Sequence, residues 1–166
     1  MKKEKSCGAI TYRYYNGDIY ILMIQINLGH WSFPKGHVEE DETEEETARR
    51  EVKEETNIDI LVDKKFREIT TYSPMEDVIK DVVYFVGTPI SNKLIPQEEE
   101  VSDVKWIHWE DALNIVTYES DRNILLKAIA HIKEKIKWLV RGDYTDVFLN
   151  MVFMQQSMMK EHHTKL

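Results

Sequence analysis

Residues 36–58 read GHVEEDETEEETARREVKEETNI, and the order of the rest of the chain follows from this stretch. Thr43 followed by Glu46 has the spacing of a capping box, which satisfies the free N–H groups of a first helical turn. Asn57 suits the left-handed position that ends a helix, so the stretch predicts a helix over 44–56. On a wheel of about 100° per residue, Ala48 and Val52 define a narrow apolar stripe. Glu51 and Glu55 flank the stripe, and Glu54 lies further round. Like charges three and four residues apart cost about 0.2–0.5 kcal/mol each, and a carboxylate at the edge of the core costs more unless it is paired. Arg50 reaches Glu54 at a separation of four, but one guanidinium cannot neutralise three carboxylates. A hard divalent cation with oxygen ligands is the natural remedy, and magnesium fits, with manganese as a second choice. The bland reading of such a run is a solvated charged face, which describes residues 39–46 well.

The flanks are strand-like. CGAITYRYY and IYILMIQI are separated by Asn16-Gly17, a dipeptide that supplies the positive backbone angles of a two-residue hairpin turn. A loop punctuated by Gly and Pro, NLGHWSFPKGH, then carries Trp31, Phe33, Lys35 and His37 up to the acidic helix, with Trp31 and Trp106 read as packing residues. Beyond the helix, KFREITTYS, KDVVYFVGTPI and the shorter VSDVKWIHW read as strands. From Trp109 onward the apolar spacing turns helical, through Ala112, Leu113 and Val116 and then Ile124, Leu125, Ala128, Ile129, Ile132 and Ile136. This order predicts an α+β fold with a mixed central sheet and helices on its faces. Residues 1–140 form the expected domain. Residues 141–166 form an expected helical tail, where Tyr144, Phe148, Met151 and Met158 recur at roughly helical spacing. The tail would fold back on the domain or join two subunits in a homodimer, a role that adaptable Met side chains suit.

Composition narrows the function. The chain has 166 residues, enough for one core and an appended element. Its formal net charge of −8 disfavours a protein that holds nucleic acid or an anionic membrane through clustered cations. A polyphosphate ligand must then be met by a few local cations or a metal. Cys7 is the single cysteine and cannot form an internal disulfide; with no signal-peptide pattern and no membrane-length apolar run, a reduced, cytoplasmic setting is expected.

The acidic stretch also resembles the Nudix box, G-x5-E-x7-R-E-U-x-E-E-x-G-U with U a bulky apolar residue. Gly36, Glu42, Arg50, Glu51, Val52, Glu54, Glu55 and Ile58 stand in register, which is eight of the nine defined positions. Asn57 takes the place of the second glycine, and Asn tolerates the left-handed conformation that position needs. The resemblance implies a Nudix-type α/β/α sandwich and hydrolysis of a phosphoanhydride by water that a divalent metal activates. It implies that Glu51, Glu54 and Glu55 are metal ligands, that Arg50 orients them, and that Glu42 braces the loop. Gly36 would let the backbone pass close to metal and phosphates.

Within that family, HWSFPKGHVE, CGAI, KDVVYF and EEEVSDVKWIHWEDA are similar to the asymmetrical dinucleoside tetraphosphate hydrolases, over roughly residues 7–130. The likeness implies cleavage of diadenosine tetraphosphate to ATP and AMP. It makes Lys35, His37 and Lys80 phosphate contacts and Tyr72 and Tyr118 stacking partners for a base. It also places a distal glutamate, metal ligand or base, at Glu100, with Glu98 and Glu99 as competitors. The alternatives are a Nudix pyrophosphohydrolase acting on nucleoside triphosphates or RNA 5′ ends, and a nucleotide sensor without hydrolysis. RNA-directed relatives usually carry Gln where Lys35 stands, and sensors commonly lose box glutamates, all of which are present here.

Overall fold

The computed structural model describes residues 1–141, with side chains up to residue 138. The expected tail helix and its subunit contact therefore lie outside the described residues. The elements run β1 (Lys2–Tyr15), β2 (Asp18–Ile26), β3 (Trp31–Ser32), β4 (Lys35–His37), α1 (Glu44–Thr56), β5 (Ile60–Met75), β6 (Val78–Pro89), β7 (Val101–His108), α2 (Trp109–Ile115) and α3 (Glu119–Arg141).

Strand β1 is long enough to serve two sets of partners. Its second half turns through Asn16 and Gly17, at φ 48° and 83°, into antiparallel β2, the hairpin that the Asn-Gly dipeptide predicts. Its first half pairs in parallel with β6, Lys2 opposite Val78 through Thr11 opposite Gly87, and antiparallel with the short β4. Strands β3 and β7 pair with β2, and β5 pairs with β6, which completes a mixed seven-stranded sheet. Strand β5 is longer than expected, starting at Ile60 because register shifts between Asp63 and Arg67 and between Tyr72 and Met75 bend it without ending it.

The apolar runs of β1, β2 and β6 look unpatterned in sequence because both faces of the sheet are covered. Successive side chains alternate between the faces. Ile10, Tyr12, Ile21, Met23, Tyr84 and Val86 meet Ala112, Leu125, Ala128 and Ile132 from α2 and α3. Ala9, Leu22 and Ile24 on the other face meet Val52, Ile58 and Ile60, while Cys7, Val83 and Phe85 meet Ala48. The result is the α/β/α sandwich that the element order and the box predict.

Helix α1 keeps the predicted bounds. Thr43 accepts from the Glu46 N–H at 3.2 Å, and Asn57 ends the helix at φ 66° with its own N–H bonded to the Lys53 carbonyl. The Asn57 side chain donates to the Lys93 carbonyl at 3.0 Å, a tether that glycine could not supply. Only Ala48 and Val52 give α1 a buried apolar stripe, so the helix must lie close to the sheet, and the acids beside the stripe go in with it.

Candidate active site

Four box residues meet around Arg50. Its guanidinium donates to Glu42 through Nε at 2.7 Å and Nη2 at 2.9 Å, to Glu51 at 2.7 Å, to Glu54 at 3.2 Å, and to the His37 carbonyl at 2.9 Å. The planar fork suits this task because its donors are fixed in direction. Hydrogen bonding from Arg50 holds the Glu42 carboxyl down at about 2, and Glu42 also accepts from the Glu39 N–H and the Thr47 hydroxyl. Gly36 passes so near that a Cβ there would overlap the Glu51 carboxylate.

Glu51 and Glu55 face the sheet. Glu55 is buried and accepts from the Lys35 N–H at 3.1 Å. Burial first, and then the Glu51 charge, push its carboxyl up to about 8; burial also raises Glu51 against the pull of Arg50. Of the three adjacent acids, Glu100 sends a charge that is felt at both Glu51 and Glu55, so the loop before β7 brings it to the same region. Among the described residues no three acidic, histidine or cysteine side chains already converge on one point. Arg50 holds Glu51 and Glu54, and the backbone of Lys35 holds Glu55. The donor set fits magnesium or manganese: hard carboxylate oxygens, two of them desolvated and mutually repelling, with a glycine backbone alongside.

A cavity of about 440 Å³ adjoins the acids, and Lys35, Glu55, Tyr72 and Tyr118 line it. Tyr72 and Tyr118 are both exposed, at the mouth. Lys80 sits opposite Tyr72 across the β5–β6 ladder and is half-buried; burial, and then the charge of Lys35, lower its pKa, which places the two ammonium groups near each other. His37 departs from the expected arrangement. Its exposed imidazole lies 3.4 Å from Glu4 and is absent from the cavity wall, because β4 turns that side chain outward while its carbonyl serves Arg50. Trp31 and Trp106 pack as expected, the latter beneath the Arg13 guanidinium at 4.3 Å.

His30, Ser32 and Asp121 in the cavity wall escape the sequence reading. His30 accepts or donates at 2.6 Å with the Tyr118 hydroxyl, and Ser32 donates to the buried Asp121 at 2.8 Å. Nothing in the spacing brings residues 30–32 and 118–121 together; only the pairing of β3 with β2 and the return of α3 do so.

The NUDIX domain profile matches residues 8–128, well over half of the chain. The chain belongs to the Nudix family. Among relatives of this Nudix protein, the asymmetrical bis(5′-nucleosyl)-tetraphosphatase of Caenorhabditis elegans is 31% identical over 133 residues, 77% of this chain and 96% of that protein. The enzyme of the same description from Mus musculus is 30% identical over 127 residues, 69% of this chain and 86% of that protein. In three dimensions, the Ap4A hydrolase of C. elegans in a binary complex superposes with a TM-score of 0.72 at 30% identity, over 79% of this chain and 98% of that one. The NUDIX domain of Shewanella oneidensis NrtR, solved with ADP ribose, shares the fold at 21% identity and a TM-score of 0.68.

Proposed function

We propose that this Nudix hydrolase cleaves a phosphoanhydride bond in a dinucleoside polyphosphate, with diadenosine tetraphosphate giving ATP and AMP. The observation that carries the reading is the junction of the Arg50-centred acids with a cavity walled by Lys35, Tyr72 and Tyr118. Its relatives support it, since the chain spans most of the length of two asymmetrical tetraphosphatases at about 30% identity. A phosphate chain would lie along Lys35 and Lys80, with a nucleoside between the tyrosines.

The ligands assigned are Glu51, Glu54, Glu55 and Glu100, with magnesium the ion and manganese a substitute. When bound, such an ion supplies neutralisation of phosphate charge and a more acidic water. The chain's own groups do the rest. Arg50 keeps the acids of α1 in register, Lys35 and Lys80 offset phosphate charge, and the distal carboxylate, Glu100, either holds the ion or takes the proton of the attacking water. The water oxygen forms the new bond to phosphorus as the bond to the leaving phosphate breaks. We place the hydrolytic unit in residues 1–140 and, from the buried, unpaired Cys7, the protein in a reducing compartment such as the cytoplasm. No helix among the described residues is long and apolar enough to cross a membrane.

The test sets diadenosine tetraphosphate against a panel of nucleoside triphosphates and a triphosphorylated short RNA, with magnesium, for the wild type and Glu55→Gln. Fastest cleavage of the dinucleotide to ATP and AMP, with loss of about 10²-fold or more in the variant, is expected. Faster turnover of triphosphates or RNA would overturn the substrate assignment while leaving the roles of the acids standing.

A further inference from the structure

Asp121 is 6% exposed, yet it lines the cavity, and among the described residues the one hydrogen bond that reaches its carboxylate comes from the Ser32 hydroxyl at 2.8 Å. A buried carboxylate is costly, and its position in the first turn of α3 does not require burial, because an exposed acid there interacts as well with the helix dipole. Exposed Glu119 in the same turn already does this and pairs with Arg122. The buried acid therefore has a use that the helix does not explain.

The cavity shows what that use is. Ser32 spends its donor on Asp121, and a carboxylate has about four lone-pair sites, of which this bond fills one. Lys35 faces Asp121 and opposes the rise in pKa that burial causes, as does the Ser32 bond. The buried side of the cavity thus presents unused acceptors, while Tyr72 and Tyr118 stand exposed at its mouth.

We propose that Asp121, braced by Ser32, reads the edge of the base that enters between Tyr72 and Tyr118 and selects guanine over adenine. The proposal rests on the dinucleoside-polyphosphate reading of this site and refines it: diadenosine tetraphosphate is cleaved, and the dinucleotide that carries guanine is preferred. Guanine offers a ring N–H beside an amino group, two parallel donors that match a carboxylate as the arginine fork does. Adenine offers one amino donor beside a ring nitrogen whose lone pair would face a carboxylate oxygen. A bidentate pair of this kind discriminates between bases by on the order of tenfold or more.

The experiment measures binding of GDP and of ADP to the full chain by calorimetry with magnesium, for the wild type, Asp121→Asn and Ser32→Ala. In parallel it measures kcat/KM for diguanosine and diadenosine tetraphosphate. GDP is expected to bind the wild type about tenfold more tightly. Asp121→Asn should remove or reverse that preference, since an amide matches an adenine edge, and Ser32→Ala should reduce it. Equal binding of the two diphosphates by the wild type, or a preference for ADP, overturns the proposal even if the Asp121 variant fails to fold. Equal weakening of both in Asp121→Asn also overturns it, by showing a structural role. A GDP preference without cleavage of either dinucleotide would sink the hydrolase reading and leave the base assignment intact.

Discussion

At the scale of single residues, the site is organised by Arg50, whose planar donors hold Glu42, Glu51 and Glu54 apart from one another and in place. Lysine at this position would keep the charge but offers a point rather than a fork. Arg50→Lys is expected to lower kcat/KM by about 10- to 100-fold, the range for residues that orient metal ligands, and to raise the magnesium concentration needed for half-maximal rate. A titration of rate against magnesium checks it; an unchanged magnesium requirement would show that the acids keep their places without the fork. Much of this centre is legible in sequence, because its residues lie within one helical span and the loop before it. Asp121 and Ser32 are not, since they lie 89 positions apart and neither carries a pattern of its own.

At the scale of elements, the approach of β4 to β1 delivers Lys35 and Gly36 to the acids, and Gly8 is what allows it. A Cβ on Gly8 would overlap the Pro34 carbonyl oxygen and come to 2.7 Å from the Lys35 Cβ. Gly8→Ala must push β4 outward, through the pairs Gly8 with Lys35 and Cys7 with Gly36. A loss of about 1–3 kcal/mol in urea denaturation is expected, as for other forced overpacking. Unchanged stability would mean that β4 yields freely. The hairpin turn and both ends of α1 were legible beforehand, because caps and turns depend on local backbone angles and on side chains a few positions away. The early start of β5 was not, since a bulge hides a strand's continuity from any periodic pattern.

At the scale of the whole molecule, Glu44 ties three elements together. It accepts from Lys5 of β1 at 2.7 Å and from Arg67 of β5 at 2.8 Å, while itself opening α1. Hydrogen bonding from Arg67, and then from Lys5, holds its carboxyl down at about 2 against an ordinary value of 4.5. A folded-state pKa below the unfolded one means that the unfolded chain binds the proton more readily, so this stabilisation is complete above the unfolded value. It is lost as pH falls from about 4.5 towards 2. Urea midpoints measured from pH 6 to pH 2 should therefore fall less steeply in Glu44→Gln than in the wild type. Parallel curves would show that the bridge is solvated and contributes nothing, as many exposed pairs do.

Local physics determined a great deal from sequence alone. The like charges of residues 51–55 raise the expectation of a cation, the caps bound their helix, and Asn16-Gly17 sets the first hairpin; the family follows from the register of the box. Tertiary structure decided what depends on distant chain segments meeting. It put β1 in parallel with β6, brought the charge of Glu100 to bear on Glu55, turned His37 away from the cavity, and set Asp121 beside Ser32 in its wall. The division has one physical cause. A cap, a turn or a repelling charge pair acts within a few residues, where spacing along the chain is also spacing in space. A cavity wall is assembled from segments whose separation is fixed only when the sheet pairs and the helices pack on its two faces.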